Sequence, residues 1–250
     1  LVVFQFAISQ VLIIGTLIVV SQMDYFRNAS LGFTKEEILT VPVPGDSISN
    51  SKVEFVRNEL LKNPGIRQVS FSYAPPSDDG NWNSDFKFDK STKSTDFGAN
   101  LKWADTSFFR IYDLEFIAGR PYTQTDTVRE FVVNETLVKK LGIRNPQDAI
   151  GKQMDFWDGE MVAPIVGVIK DFHVYSLRDP ISPVALGSWK ALYSNLNIKI
   201  RPENAKETLA FIQNLWNQNY PEYVYEHEFL DEKIDNFYRQ ENQLSQLYKI

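Results

Sequence analysis

The sequence has 250 residues, enough for one large domain or two small ones, and its 43% apolar and 14% aromatic residues argue against wholesale disorder. The net charge of −6, without runs of Lys and Arg, lacks the basic patch that nucleic-acid binding requires, so no nucleic-acid partner is expected. The absence of cysteine excludes disulfides, thiol nucleophiles and cysteine-based metal sites.

The N-terminal segment is strongly apolar. Residues 1–23 contain no charged side chain, and about 20 such residues in a helix span a hydrocarbon core of roughly 30 Å. We therefore predict a transmembrane helix over residues 1–23 and a stalk helix over residues 24–35, with Gly32 as its terminator. A signal peptide and a buried core helix are the alternatives, although no basic start and no A-x-A cleavage pattern accompany the apolar run. We also expect the sequence to begin inside a longer gene product.

Two strand–helix–strand units lie near the ends of the remaining sequence. Each has an amphipathic helix with apolar residues at i, i+3 and i+4, placed between two short strands. The elements of the first unit are Ile38–Val43, Ser51–Lys62 and Ile66–Tyr73, and those of the second are Leu196–Ile200, Ala205–Tyr220 and Val224–Phe229.

The region between the two units, residues 76–190, has a different pattern and is predicted to be an inserted mixed α/β subdomain. It opens with a polar loop, Pro75–Asp96, in which one or two short exposed strands or a hairpin are expected. The further predicted elements are the strands Asn100–Ala104 and Phe131–Asn134, the extended segment Glu115–Ala118, the helices Thr106–Tyr112 and Glu135–Leu141, and a hairpin of Lys152–Trp157 with Val162–Phe172 that turns at Asp158 and Gly159.

The last segment, residues 231–250, is polar and predicted to be helical. It carries one apolar seam, which is formed by Ile234, Phe237, Tyr238, Leu244 and Leu247. The segment is interpreted either as a solvated stalk helix or as one half of a dimer contact. Because such a seam must pack on something, the stalk over Ser21–Leu31 is its expected neighbour.

The sequence contains no motif that indicates catalysis. Gly151-Lys152 is followed by Gln153, which breaks the phosphate-binding loop pattern, and no G-x-S-x-G motif is present. We therefore predict no catalytic residue, no cofactor and no enzymatic activity.

The segment Lys170-Asp171-Phe172-His173 is the strongest candidate for a chemical site. Asp171 and His173 are two residues apart on a predicted strand and so share a face, where they would bind a metal or transfer protons if a third ligand joined them. No such partner is evident from the spacing, and we favour a structural role in which the pair fixes the end of the strand. No metal site is predicted here.

Residues 77–85 are rich in oxygen ligands, but they lack the spacing of a calcium loop and are interpreted as a solvated loop. Three aromatic residues, Trp82, Phe86 and Phe88, are interleaved with these polar residues. Exposed aromatic side chains on a polar loop are typical of interfaces, so a partner-docking tip is the alternative interpretation.

Several short strings, in order along nearly the whole chain, resemble the extracytoplasmic region of MacB/FtsX-type ABC transporter permeases. The longest string is Ile165–His173, which is followed by Ser176-Leu177 and Ile181-Ser182-Pro183. The others are Phe4-Gln5-Phe6, Leu31-Gly32-Phe33, Gly119-Arg120, Val133-Asn134-Glu135 and Ala149-Ile150-Gly151-Lys152.

The resemblance implies an α+β fold, in which a porter-like subdomain (residues 36–75 and 191–230) is split by a sabre-like insert (residues 76–190). Residues 231–250 would then form a stalk helix leading to further transmembrane helices. These assignments divide the sequence more finely than composition and periodicity do.

The resemblance also implies a function. The chain would be the periplasmic domain of an inner-membrane permease that couples ATP hydrolysis by a cytoplasmic ABC ATPase to export or movement of a substrate through mechanotransmission. A homodimer or paired permease is expected, and a periplasmic adaptor or an outer-membrane protein is a further candidate partner. A membrane-anchored sensor or binding module, with an α/β domain between two helices, remains the alternative.

Overall fold

The computed structural model describes residues 2–28, 30–78, 80–175, 177 and 179–236, and it divides into two compact units, residues 1–31 and 32–250. The first unit is a single helix, α1 (Val2–Asn28), whose apolar side chains between Val2 and Ile18 are exposed. Within the described ranges, no helix combines the length and the apolar character needed to cross a membrane. The predicted transmembrane helix over residues 1–23 is therefore not confirmed.

Within the described residues, the second unit contains twelve strands and six α-helices. The strands are β1 (Ile38–Pro42), β2 (Ile66–Ser72), β3 (Trp82–Ser84), β4 (Lys87–Phe88), β5 (Ala99–Trp103), β6 (Phe116–Gly119), β7 (Phe131–Asn134), β8 (Gln153–Phe156), β9 (Met161–Ile169), β10 (Val184–Gly187), β11 (Asn195–Ile200) and β12 (Glu228–Phe229). The helices are α2 (Ser47–Ser51), α3 (Val53–Leu60), α4 (Phe108–Ile111), α5 (Glu135–Lys140), α6 (Ala205–Asn219) and α7 (230–236).

The strands at the two ends of this unit form a four-stranded antiparallel sheet with the order β12-β1-β11-β2. This order interleaves the two strand–helix–strand units, because β11 of the second unit lies between β1 and β2 of the first. The apolar faces of α3 and α6 cover one face of the sheet, and Val56, Leu60, Ile212 and Trp216 belong to the core between them. The sheet is therefore completed only after the chain has passed through residues 73–194.

The intervening chain builds a mixed sheet with the order β3-β5-β10-β7-β9-β8-β4, and β6 pairs with β9. The two strands at opposite ends of this order, β3 and β4, are separated by only residues 85 and 86, so the sheet curls back on itself. Its interior is aromatic, and Phe86, Trp103, Phe131 and Phe156 lie in it. The predicted α+β fold, with a split sheet and a mixed insert, is confirmed.

Several local predictions differ from the structure. The expected hairpin in Pro75–Asp96 is limited to an isolated antiparallel bridge between Lys87 and Ser94, because β3 pairs with β5 and β4 pairs with β8. The strand predicted over Val224–Phe229 is reduced to β12, and the strand β10 was not predicted. The helix predicted over Ser51–Lys62 is α3, which is shorter, and it is preceded by a separate helix, α2. The carboxylate of Asp46 caps α2 by accepting hydrogen bonds from the backbone N–H groups of Ile48 and Ser49.

One glycine is required by close approach of backbone to backbone. Gly167 on β9 lies against the segment that follows β6, and a Cβ at this position would collide with the carbonyl oxygen of Arg120 and with the ring of Phe116. Both neighbours are held in place, the first by the hydrogen bond from Arg120 N–H to Val166 O (2.9 Å). The strand β9 therefore has room for no side chain here.

We predict that Gly167→Ala lowers the free energy of unfolding by about 1–3 kcal/mol, because the new methyl group displaces packed backbone. Gly45→Ala is the matched control, since a Cβ at Gly45 meets nothing within 4 Å, and it should change the stability by less than about 0.5 kcal/mol. Urea unfolding of both variants measures this. Equal stability of the two variants would contradict the close approach at Gly167.

Candidate functional site

The two sheets meet at Asp105, a buried carboxylate that follows β5. Its Oδ1 accepts hydrogen bonds from Ser70 Oγ (2.8 Å) and from the N–H of Phe108 (3.1 Å), at the start of α4. Its Oδ2 accepts hydrogen bonds from the N–H of Phe71 (2.6 Å) and from Arg57 Nη2 (2.6 Å). A single side chain thus links β2 and α3 of the split sheet with α4 of the insert.

Arg57 completes this junction from the side of α3. Its Nη1 donates a hydrogen bond to the carbonyl of Val69 (3.0 Å), and its guanidinium lies 5.1 Å from the centre of the Phe71 ring. The Arg57–Asp105 pair is therefore largely removed from water, and both side chains form hydrogen bonds with neighbouring groups. Charge-assisted hydrogen bonds of this kind are shorter and stronger than neutral ones, and removal of one partner leaves a buried charge.

The backbone continues the same junction. The N–H of Tyr73 donates to Trp103 O (2.8 Å), the N–H of Asp105 donates to Phe71 O (2.9 Å), and Ser72 forms an antiparallel bridge with Ala104. The end of β2 is therefore paired with the end of β5, which joins the two sheets at the point where the insert begins.

A second polar cluster joins α7 to the base of the insert. Lys233 on α7 forms an ion pair with Asp78 (Nζ to Oδ2, 2.8 Å), and the N–H of Gly80 donates to Asp78 Oδ1 (2.8 Å). Burial by itself raises the pKa of Asp78, but the hydrogen bonds from Lys233 and Gly80 outweigh it and lower the pKa. The contact therefore keeps the carboxylate of Asp78 ionised beside α7.

Lys102 lies next to this cluster, on β5, and only 2% of it is exposed. Its Nζ donates a hydrogen bond to the carbonyl of Pro75 (3.2 Å). Burial lowers the pKa of Lys102 to about 8, the carboxylate of Asp78 opposes this change, and Lys233 adds to it. The strand β5 thus carries a buried ammonium at Lys102 and leads directly to the buried carboxylate at Asp105.

The predicted site at residues 170–173 is a loop and not the end of a strand, since β9 ends at Ile169. Asp171 accepts hydrogen bonds from Asn134 Nδ2 (2.9 Å), from the N–H of Thr136 (2.8 Å) and from Thr136 Oγ1 (2.9 Å). These groups lie at the N-terminus of α5, where a carboxylate is favoured by the helix dipole. Asp171 therefore anchors a helix.

The other three residues of this loop have separate surroundings. Lys170 forms an exposed ion pair with Glu115 (2.6 Å), and Phe172 is buried. Nδ1 of His173 is buried and has no hydrogen-bond partner within the described part of the chain. No group of three or more His, Cys, Asp and Glu side chains that could hold a metal ion occurs among the residues that the structure describes.

The predicted docking tip is only partly accessible. Trp82 is 37% exposed and Phe88 is half-buried, but Phe86 is 1% exposed and packs in the interior of the curled sheet. Phe86 was therefore wrongly placed on the tip, because the two-residue corner between β3 and β4 turns its ring inward. Ile234 is also buried and is not available to a second copy of the chain. The other residues of the predicted seam, Phe237, Tyr238, Leu244 and Leu247, lie outside the described residues.

The sequence did not single out Asp105, Arg57 or Lys102. A charged residue next to the buried positions Val56 and Leu60 of α3, and another inside the strand Asn100–Ala104, were the available signals. Neither charged residue indicates a buried contact unless its partner is known, and the partners lie 27 to 48 residues away in the sequence.

No protein-family model and no curated protein sequence matches the chain. Among solved structures, it is similar to the periplasmic region of MacB from Actinobacillus actinomycetemcomitans, with a TM-score of 0.56 and 15% identity over 83% of this chain and 94% of that chain. It is also similar to a domain of a protein assigned as a permease from Porphyromonas gingivalis, with a TM-score of 0.52 and 16% identity over 75% of this chain and 86% of that chain. A third match, with a TM-score of 0.48 and 16% identity over 74% of this chain and 94% of that chain, is the extracellular domain of the noncanonic ABC-type transporter YknZ from Gram-positive bacteria.

At these identities the first two matches establish the fold. The chain has the fold of the MacB periplasmic region over most of its length, and the predicted resemblance is confirmed at this level.

We predict that Asp105→Asn lowers the free energy of unfolding by about 3–5 kcal/mol, because Arg57 loses its buried partner and is left with the half-exposed Glu54, 3.3 Å away, as its opposite charge. Glu59→Gln is the control, since it makes the same chemical change in an exposed ion pair with Lys62 and should cost less than about 1 kcal/mol. Urea unfolding at pH 7 compares them. A cost for Asp105→Asn as small as that of the control would contradict the role of the junction.

We predict that Lys102→Met stabilises the protein at pH 7, by at most about 3 kcal/mol, because the buried ammonium disfavours the folded state. The folded pKa of Lys102, about 8, lies below its ordinary value of 10.5. The stability of the unaltered protein therefore rises with pH through this window, and the advantage of the variant shrinks. Urea unfolding at pH 7 and pH 10 measures both effects, with the exposed Lys62→Met as control. A pH-independent loss of stability in Lys102→Met would contradict the depressed pKa.

Proposed function

We propose that this chain is the extracytoplasmic domain of a MacB/FtsX-type ABC transporter permease, located in the periplasm at the inner membrane of a bacterium. The observation that supports this most is the fold of the MacB periplasmic region, which covers 83% of the chain. The ordered strings, above all Ile165–His173, support the same family independently of the fold.

In this proposal the split sheet is the porter-like subdomain, with residues 36–75 and 191–230, and the curled sheet is the sabre-like subdomain, with residues 76–190. All four strands of the first sheet lie within the first two ranges, and the strands of the second lie within the third. Residues 231–250 form the stalk that returns to the membrane, and α7 is its first part.

We further propose that the domain transmits movement and performs no chemistry of its own. A cytoplasmic ABC ATPase drives a homodimer or a pair of permease chains, and the movement reaches this domain through the stalk. The ion pair between Lys233 and Asp78 gives such a movement a point of entry into the insert, next to Lys102 on β5. The Asp105 junction, at the end of the same strand, then transmits this movement to the split sheet. A periplasmic adaptor or an outer-membrane protein is a further partner.

The full-length gene product, purified in mild detergent, is expected to bring an ABC ATPase with it in stoichiometric amount. ATP turnover by this complex should change in Lys233→Gln, which removes the contact between α7 and the insert, and should not change in Lys62→Gln, an exposed lysine on the same unit. Mass spectrometry and a phosphate-release assay measure the two results. Recovery of a kinase or a response regulator in place of an ATPase would reject the permease and support the sensor.

A further inference from the structure

Four of the five tryptophans form a closed ring at one end of the curled sheet. The ring centres are 6.1 Å apart for Trp82 and Trp103, 5.4 Å for Trp103 and Trp189, 6.5 Å for Trp189 and Trp157, and 6.3 Å for Trp157 and Trp82. Trp103 is buried, and its Nε1 has no hydrogen-bond partner within the described residues. The other three are partly exposed, so the ring presents an aromatic surface to solvent.

The turn between β8 and β9 holds Trp157 in this position at a conformational cost. Trp157 has φ of 59° and Asp158 has φ of 54°, which is unusual for a bulky residue and requires support from the surroundings. The N–H of Gly159 donates to Asp155 Oδ1 (2.6 Å), and Asp158 forms an ion pair with Lys87 (2.7 Å). The exposed indole of Trp157 is therefore fixed in advance and 36% exposed.

A groove of about 420 Å³ lies beside the ring, within the size range of small-molecule sites. Trp157 and Trp189 are two of its walls, with their ring planes inclined by 53°. Val128 and Val162 add apolar surface, and Val162 is 52% exposed although it belongs to a central strand of the sheet. The groove thus offers two aromatic faces on a firm support.

Two opposite charges line the same groove. Arg129 and Glu160 are both exposed, and within the described part of the chain neither forms an ion pair or a side-chain hydrogen bond. Among the described residues that line the groove, Arg129 and Glu160 are the two charged ones. The groove therefore has one cation and one anion that are available to a ligand.

We propose that this groove binds a small zwitterion in which an organic ammonium group is joined to a phosphate. The ammonium group lies over the faces of Trp157 and Trp189 beside Glu160, because tryptophan is the best aromatic partner for a cation. The phosphate lies at Arg129, whose guanidinium matches its geometry. A simple cation would leave Arg129 without an opposite charge, and a simple anion would be repelled by Glu160. A neutral apolar molecule would remove water from both charges and form no interaction that compensates for its loss. This site is independent of the proposed transport function.

The test is a titration of the full chain with phosphocholine, followed by tryptophan fluorescence, with tetramethylammonium and inorganic phosphate as separate probes. Phosphocholine should bind at least about tenfold more tightly than either probe. Arg129→Gln should reduce its affinity to that of tetramethylammonium, and Glu160→Gln should weaken both ammonium probes. Both variants change exposed side chains, so their folding is not at stake.

Trp157→Ala should weaken phosphocholine binding by about tenfold, whereas Trp216→Phe, on α6 in the core of the split sheet, should not change it. Equal affinity for the three probes, no binding of any, or binding that is unaffected by Arg129→Gln and Glu160→Gln would overturn the proposal. Sedimentation with phosphatidylcholine vesicles identifies the source of the ligand. Vesicle binding that requires Arg129 and Glu160 indicates that the ligand is a lipid headgroup. Vesicle binding that does not depend on these two residues, together with unchanged phosphocholine binding, indicates that the ligand is a free zwitterion.

Discussion

The buried carboxylate of Asp105 is the constraint on which the arrangement of the two sheets depends. It accepts hydrogen bonds from β2, from α3 and from the start of α4, and these elements come from both the split sheet and the insert. A buried charge that lost these donors would cost several kcal/mol, so the elements cannot move apart independently. The backbone pairing of Ser72 with Ala104 gives the same junction a second connection. The insert is thus joined to the split sheet by side-chain and backbone contacts at one junction.

This connection gives the proposed mechanical role a physical basis. Lys102 and Asp105 are three residues apart, on β5 and directly after it, and they face two different clusters. The first cluster includes the Asp78–Lys233 pair and therefore α7, while the second includes α3 and the split sheet. In the proposed role, a displacement of α7 would reach both subdomains through one short strand. The buried ammonium of Lys102 lowers the stability of this region, which is a cost that a purely structural core would avoid with an apolar residue.

The elements with a strong local signal were predictable from the sequence, and the contacts between them were not. Alternation in Ile66–Tyr73 and the apolar stripe of Ala205–Tyr220 correspond to β2 and α6, although the second half of β2 is buried on both faces. The strand β10 has four residues, all buried, and its short apolar run carries no period. Phe86 looked exposed because polar residues surround it in sequence, but the corner between β3 and β4 directs it into the core. Asp105 and Arg57 were not recognisable, since their function is a contact over 48 residues.

The most direct test of the central claim is a distance measurement between the two sheets. The chain contains no cysteine, so spin labels at cysteines introduced for the exposed residues Gln147, in the insert, and Gln213, on α6, report on this pair alone. If the Asp105 junction holds the sheets together, pulsed electron paramagnetic resonance should give one narrow distance distribution in the unaltered protein. The distribution should broaden in Asp105→Asn under conditions where that variant is still folded. An equally narrow distribution in both proteins would contradict the claim that this carboxylate fixes the two sheets relative to each other.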